Sequence, residues 1–189
     1  TVASAAFSND KDTILLIHAE GSDNSTTLTD SSGAPVNTDG SGTSYVSAND
    51  TYGQSLISYV GTGSAMTLGH GLSAAPEAII LKHRGATTNW VVYHANNTAA
   101  PETDALTLNL TDDTSDYTWW NDTAPTSSVF SVGAISNTNA SNHEFVALAF
   151  RSVTGYSKFG TYTGDATTDG SLSVTTGFKP AFLMVKRTD

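Results

Sequence analysis

Glu144-Phe145-Val146-Ala147-Leu148-Ala149-Phe150 is the stretch on which the fold of this chain turns. Phe145 to Phe150 is the longest uninterrupted apolar run in the sequence, far short of the roughly 20 residues that a membrane-spanning helix needs. Successive side chains of a strand point to opposite faces, so a strand apolar at consecutive positions must be covered on both sides. Ile14-Leu15-Leu16-Ile17 and Ala78-Ile79-Ile80-Leu81 have the same character. All three are expected to be core strands in the middle of a layered structure.

Outward from these runs, short apolar segments alternate with Gly, Asn, Asp, Ser and Thr, and none keeps helical periodicity for three turns. Strands are expected at residues 13–18, 55–60, 77–83, 90–94, 105–110, 117–120, 128–133, 144–151, 157–162, 171–175 and 181–186. Near-regular spacing with turn signals between strands predicts an all-β, antiparallel β-sandwich of jelly-roll or concanavalin-like type with little or no helix. Composition agrees. Only 14% of the 189 residues are charged, and Thr and Ser together exceed a quarter of the chain. Threonine suits a pleated strand and serine suits turns. Between Glu20 and Gln54 the sequence is nearly all small and polar, which predicts a long surface loop or flap.

The same counts exclude several kinds of chemistry. Without cysteine there is no disulfide framework, thiolate metal site or thiol redox chemistry. A formal charge of −10 and no basic cluster argue against nucleic acid as a partner, because phosphate-backbone affinity comes from Lys and Arg. Nothing in the hydropathy suits membrane insertion as a helix.

A self-comparison gives a sharper signal. Tyr59-Val60-Gly61, Gly71-Leu72, Pro76 and Ala78-Ile79-Ile80-Leu81-Lys82-His83-Arg84 recur roughly a hundred residues later. The second copy is Tyr162-Thr163-Gly164, Gly177-Phe178, Pro180 and Ala181-Phe182-Leu183-Met184-Val185-Lys186-Arg187. Glycine permits a bend, proline sets a strand entrance, apolar residues cross a core and cations emerge into water. The reading is a lectin-like N-terminal strand and polar loop over residues 1–57, then a sandwich over 58–189 with an internal repeat at 59–84 and 162–187. A terminal strand this apolar implies either a longer polypeptide or completion by another subunit.

Trp90-Val-Val-Tyr-His94, Asn142-His-Glu-Phe-Val-Ala-Leu-Ala-Phe150, Gly155-Tyr-Ser-Lys-Phe-Gly160 and Gly177-Phe-Lys-Pro-Ala-Phe-Leu-Met-Val-Lys-Arg-Thr-Asp189 resemble a β-rich domain of marine bacteriophage structural proteins. Asp12-Thr-Ile-Leu-Leu-Ile-His18, Asp30-Ser-Ser-Gly33 and Gly53-Gln-Ser-Leu56 are similar to the opening of a laminin-G or concanavalin-like lectin sandwich, truncated near Val60. The first resemblance implies a virion surface component: a tail fibre, adhesin or capsid decoration protein. Its implied partners are copies of itself as a homo-oligomer and other virion proteins. It supplies no catalytic residues, and the truncated lectin opening carries over no complete sugar site.

Residue chemistry gives little support to catalysis. His18, His70, His83, His94 and His143 are scattered, with no His-x-His or His-Glu-x-x-His spacing, and no Gly-x-Ser-x-Gly elbow is present. Asp112, Asp113 and Asp116 read as a solvated turn. No resident cofactor or metal site is expected; calcium stays open because Asp23, Asp30, Asp39, Asp112, Asp113, Asp116, Asp165 and Asp169 offer oxygen ligands. The candidate binding residues are Tyr117, Trp119, Trp120, Asn121 and Asp122. On a strand, adjacent indoles would point to opposite faces, leaving one exposed for a host-surface glycan or a subunit contact; the alternative is that both are buried between this sheet and a neighbouring subunit or loop. A non-enzymatic virion scaffold and a carbohydrate-binding module for host attachment are therefore the two leading expectations. A depolymerase would need a paired-carboxylate cleft that linear sequence does not reveal.

Overall fold

The computed structural model describes residues 17–19, 28–30, 35–166 and 172–189. The chain divides into two compact units, Thr1–Pro35 and Val36–Asp189. In the first, β1 (Ile17–Ala19) pairs antiparallel with β2 (Leu28–Asp30). The start of the strand expected at 13–18 lies outside the described residues.

The second unit is an antiparallel sandwich of ten strands in two sheets. Its elements are β3 (Val36–Asn37), β4 (Ser44–Asn49), β5 (Gln54–Val60), β6 (Met66–Gly69), β7 (Ala78–His83), β8 (Val91–His94), β9 (Asp104–Thr107), β10 (Ser115–Asp116), β11 (Val129–Val132), a one-turn helix α1 (Ser136–Asn139) and β12 (Glu144–Phe150). The large sheet runs β10-β9-β8-β7-β12-β5-β4-β3, and β11 pairs with β6 in the small one. The expected all-β class is what forms.

β12 takes the central place that its unbroken apolar run demands. Phe145, Ala147 and Ala149 sit opposite Tyr59, Ile57 and Ser55 on one side and His83, Leu81 and Ile79 on the other. Those apolar side chains join Val46, Val91 and Tyr93 in one buried cluster with Leu68, Phe130, Val132, Trp119 and Trp120. On the opposite face, Leu56, Leu148, Ile80, Val92 and Leu106 stand in a single row across five strands. Val92 and Leu106 are buried, and the other three are half-buried. Consecutive apolar residues in β7 and β12 thus serve two faces of one sheet, with Phe159 stacked on Phe150 at 5.7 Å.

Several expectations are corrected. The boundary placed between 57 and 58 cuts through β5, and the polar stretch before it contributes β4 to the main sheet. β4 buries Ser44 and Val46 while Tyr45 faces out. The Ser44 hydroxyl donates to the Gly69 carbonyl at 2.9 Å, so a polar side chain does inside the fold what an apolar one would otherwise do. Residues 157–162 and 181–186 form no strand, nor do the described residues of 171–175. The two copies of the sequence repeat accordingly lie in unlike surroundings. Ala78–His83 is hydrogen-bonded on both sides, whereas Ala181–Lys186 belongs to no sheet. They are not equivalent ribbons of one scaffold.

Candidate functional site

The residues singled out around the tryptophan pair share one turn, but not the strand expected there. Tyr117 is extended (φ −161°, ψ 145°), and Thr118–Trp120 form a 3-10 turn. Asn121 closes the turn in the left-handed region (φ 54°, ψ 35°), with its N–H donating to the Thr118 carbonyl at 3.2 Å. Asparagine tolerates that conformation better than most residues. Asp122 follows at φ 46°. The Trp119 carbonyl accepts from Gly133 N–H at 2.9 Å and from the Thr138 hydroxyl at 3.3 Å. A Cβ on Gly133 would lie 2.0 Å from the Thr118 carbonyl oxygen, so only glycine allows this approach.

The turn carries both indoles inward. Trp119 is 7% exposed and Trp120 1%, and Tyr93 meets Trp120 edge-on at 5.7 Å. Trp120 Nε1 is buried without a hydrogen-bond partner. Tyr117, at 52% exposure, lies 5.6 Å from the Trp119 ring, and Asn121 and Asp122 face water. The expected exposed indole is absent because a 3-10 turn, unlike a strand, does not send successive side chains to opposite faces.

The histidines serve the backbone. His70, His83 and His94 each accept at Nδ1 the N–H of the residue two places on: Leu72 at 3.1 Å, Gly85 at 3.0 Å and Asn96 at 3.2 Å. An accepting Nδ1 puts the neutral ring's proton on Nε2, and in His70 that nitrogen meets the Thr126 carbonyl at 3.1 Å. Burial is the main cause that lowers all three pKa values. For His83, neighbouring His143, with ring centroids 4.8 Å apart, and Lys82 lower it further.

At one end of the large sheet, Asp50 accepts the Ser73 N–H at 2.9 Å, the Ser73 hydroxyl at 2.7 Å and Arg151 Nε at 3.2 Å. The Ser73 hydrogen bonds, aided by Arg151, hold its carboxyl down at about 2. Buried Asp104 accepts from Asn97 at 2.7 Å and from the Thr98 hydroxyl at 2.8 Å. These polar clusters fasten loops. Among the described residues, no three His, Cys, Asp or Glu side chains gather as metal ligands would.

The most unusual surface lies elsewhere. Phe182 is 80% exposed, Leu183 75%, Met184 51% and Val185 56%. Their backbone makes no hydrogen bond to another described residue. The segment is held beside β10 by Thr114 N–H donating to the Thr188 carbonyl at 2.9 Å and by Lys186 Nζ donating to the Asp112 carbonyl at 3.1 Å. Sequence reading placed these residues in the core. In the structure Ala181–Lys186 lacks the paired neighbours that β8 and β12 give β7.

Fold and surface together define an antiparallel β-sandwich whose polar groups fasten loops and whose longest run of consecutive exposed large apolar residues, among the described residues, is Phe182–Val185. The chain belongs to the DUF7483 family, a domain of unknown function whose family model matches residues 25–189. No curated protein and no solved structure matches it.

Proposed function

We propose that the chain is a non-enzymatic virion structural module of the tail-fibre, adhesin or capsid-decoration kind, acting by self-association and surface contact. The observation that carries this reading is the exposed run Phe182–Val185. Soluble monomers normally scatter exposed apolar residues singly, and a contiguous patch marks an interaction surface. Fully burying one such side chain gains about 1.5–3 kcal/mol, so four partly exposed ones from each of two copies gain roughly 8–16 kcal/mol. That is comparable with the ~4–15 kcal/mol lost when two bodies are immobilised, so the patch offsets most of the cost of bringing two copies together. The sequence resemblance to phage structural proteins supports the virion setting. A carbohydrate-binding module at Trp119 or Trp120 would need a ring face open to a sugar, and both rings are inside the fold.

Sedimentation velocity of the full chain tests the reading. The expected result is a mass that rises with concentration in the parent and stays monomeric in Leu183→Asp, with identical thermal melting. A parent that stays monomeric, or a variant that associates equally well, overturns self-association. Mass spectrometry of purified particles tests the setting, and absence of the chain removes it.

A further inference from the structure

We infer that Ala181–Arg187 pairs with the same segment of a second copy, antiparallel across a two-fold axis centred on Met184, so that two sheets join edge to edge. This rests on the self-association proposed above and names its partner and register.

Self-pairing follows from the pattern of the segment. Four large apolar residues in succession put two side chains on each face of a strand, so a matching partner must be apolar on both faces. Among the described residues, β3 and β10, which end the large sheet, are two residues long and offer no such partner. A second copy of the segment does. The Thr114–Thr188 bond already seats it at the outer edge of the sheet, beside β10.

Charge selects the register. Directly opposed residues of an antiparallel pair point to the same face, so a two-fold pair must place some residue opposite its own copy. Centring on Leu183 would set Arg187 against Lys179, and like charges directly opposed are destabilising. Centring on Met184 sets Lys179 against Asp189 twice, and Leu183 against Val185 twice. Alkyl side chains then cover one face, while the Phe182 rings, the Met184 side chains and the Lys186 stems cover the other. Backbone polarity agrees. Thr188 turns its carbonyl toward Thr114, so a strand here turns the Met184 backbone the same way and leaves those of Leu183 and Val185 for the partner. Met184 then faces its copy as a non-hydrogen-bonded pair with Cα atoms about 4.5 Å apart, inside the span of a disulfide.

The chain has no cysteine, which makes single-cysteine variants unambiguous. Phe182→Cys, Leu183→Cys, Met184→Cys and Val185→Cys are oxidised mildly and followed on non-reducing gels. Residues one step off the axis are separated from their own copies by roughly 7–8 Å or more, outside easy disulfide geometry. Met184→Cys is expected to form covalent dimer at least tenfold faster than the other three, with sedimentation confirming that each variant still associates. Equal rates at all four positions indicate an unpaired segment and overturn the inference, as does a maximum at Leu183→Cys. Association of all variants without any self-cross-link indicates a head-to-tail contact; it overturns the two-fold register and leaves the proposed function standing. Loss of association in the parent overturns both.

Discussion

Trp120→Ala distinguishes a core tryptophan from a ligand platform. The ring is 1% exposed and packs edge-on against Tyr93. A buried tryptophan removes about 150–250 Å² from water. At ~25 cal/mol per Å² that corresponds to roughly 4–6 kcal/mol, an upper bound because the unfolded chain is already partly collapsed. Large-to-small core substitutions of this kind cost about 3–5 kcal/mol, so a loss of ~4 kcal/mol is expected. In a folded unit of this size, that lowers Tm by roughly 8–16 °C. Trp120→Phe should cost much less, under about 1.5 kcal/mol: it keeps a large ring and removes the partnerless Nε1 hydrogen, whose burial costs ~1–3 kcal/mol. Urea denaturation followed by far-ultraviolet circular dichroism reads both variants against the parent. A Trp120→Ala midpoint within ~0.5 kcal/mol of the parent, with any glycan binding abolished, would refute the core assignment.

Two further outcomes concern protons. His70, His83 and His94 have folded pKa values below the ordinary 6.5, so the unfolded chain binds protons first and stability must fall as pH drops through about 6.5. Urea midpoints that stay flat between about pH 8 and pH 5 would contradict this. Asp50, held near 2 against 3.8 when unperturbed, stabilises the fold above pH ~4 and stops doing so as pH falls toward 2. Its full shift corresponds to about 2 kcal/mol, but the side chain is 44% exposed, and solvent screening reduces the expected loss in Asp50→Asn to about 1 kcal/mol at pH 7. An unchanged urea midpoint at pH 7, or a deficit as large at pH 2, would count against that role.

How much was legible in the sequence follows from how each segment is stabilised. β7 and β12 were plain because Ala78–Leu81 and Phe145–Phe150 are apolar at every step. β4 was hidden: Ser44-Tyr45-Val46-Ser47-Ala48-Asn49 has one large inward apolar residue, and its place comes from pairing with β5 along its whole length. The tryptophan turn was misread as a strand because aromatic residues favour strands. The contrary signal was Asn121-Asp122, a pair suited to positive φ. The segment at 181–186 has the composition of β7, yet a strand needs neighbours as well as propensity. Sequence patterns show what a segment would bury, and the partner it buries against comes from elsewhere in the chain. The histidines could be seen but not interpreted, since an imidazole accepting a backbone N–H two residues on has no fixed spacing to another motif.

The position of β12 also bears on the order of events during folding. β3 to β5 are built of neighbouring strands in sequence, and so are β7 to β10, and in the large sheet residues 144–150 lie between the two groups and pair with both. On a ribosome, both half-sheets emerge well before the strand that joins them, each with a raw inner margin. Completion therefore waits for a late wedge to slide between β5 and β7, a long-range closure of the sort that slows β proteins to milliseconds or longer. During that interval the inner margins of β5 and β7 are where a nascent chain is most exposed to mispairing, and where a chaperone would find most to shield.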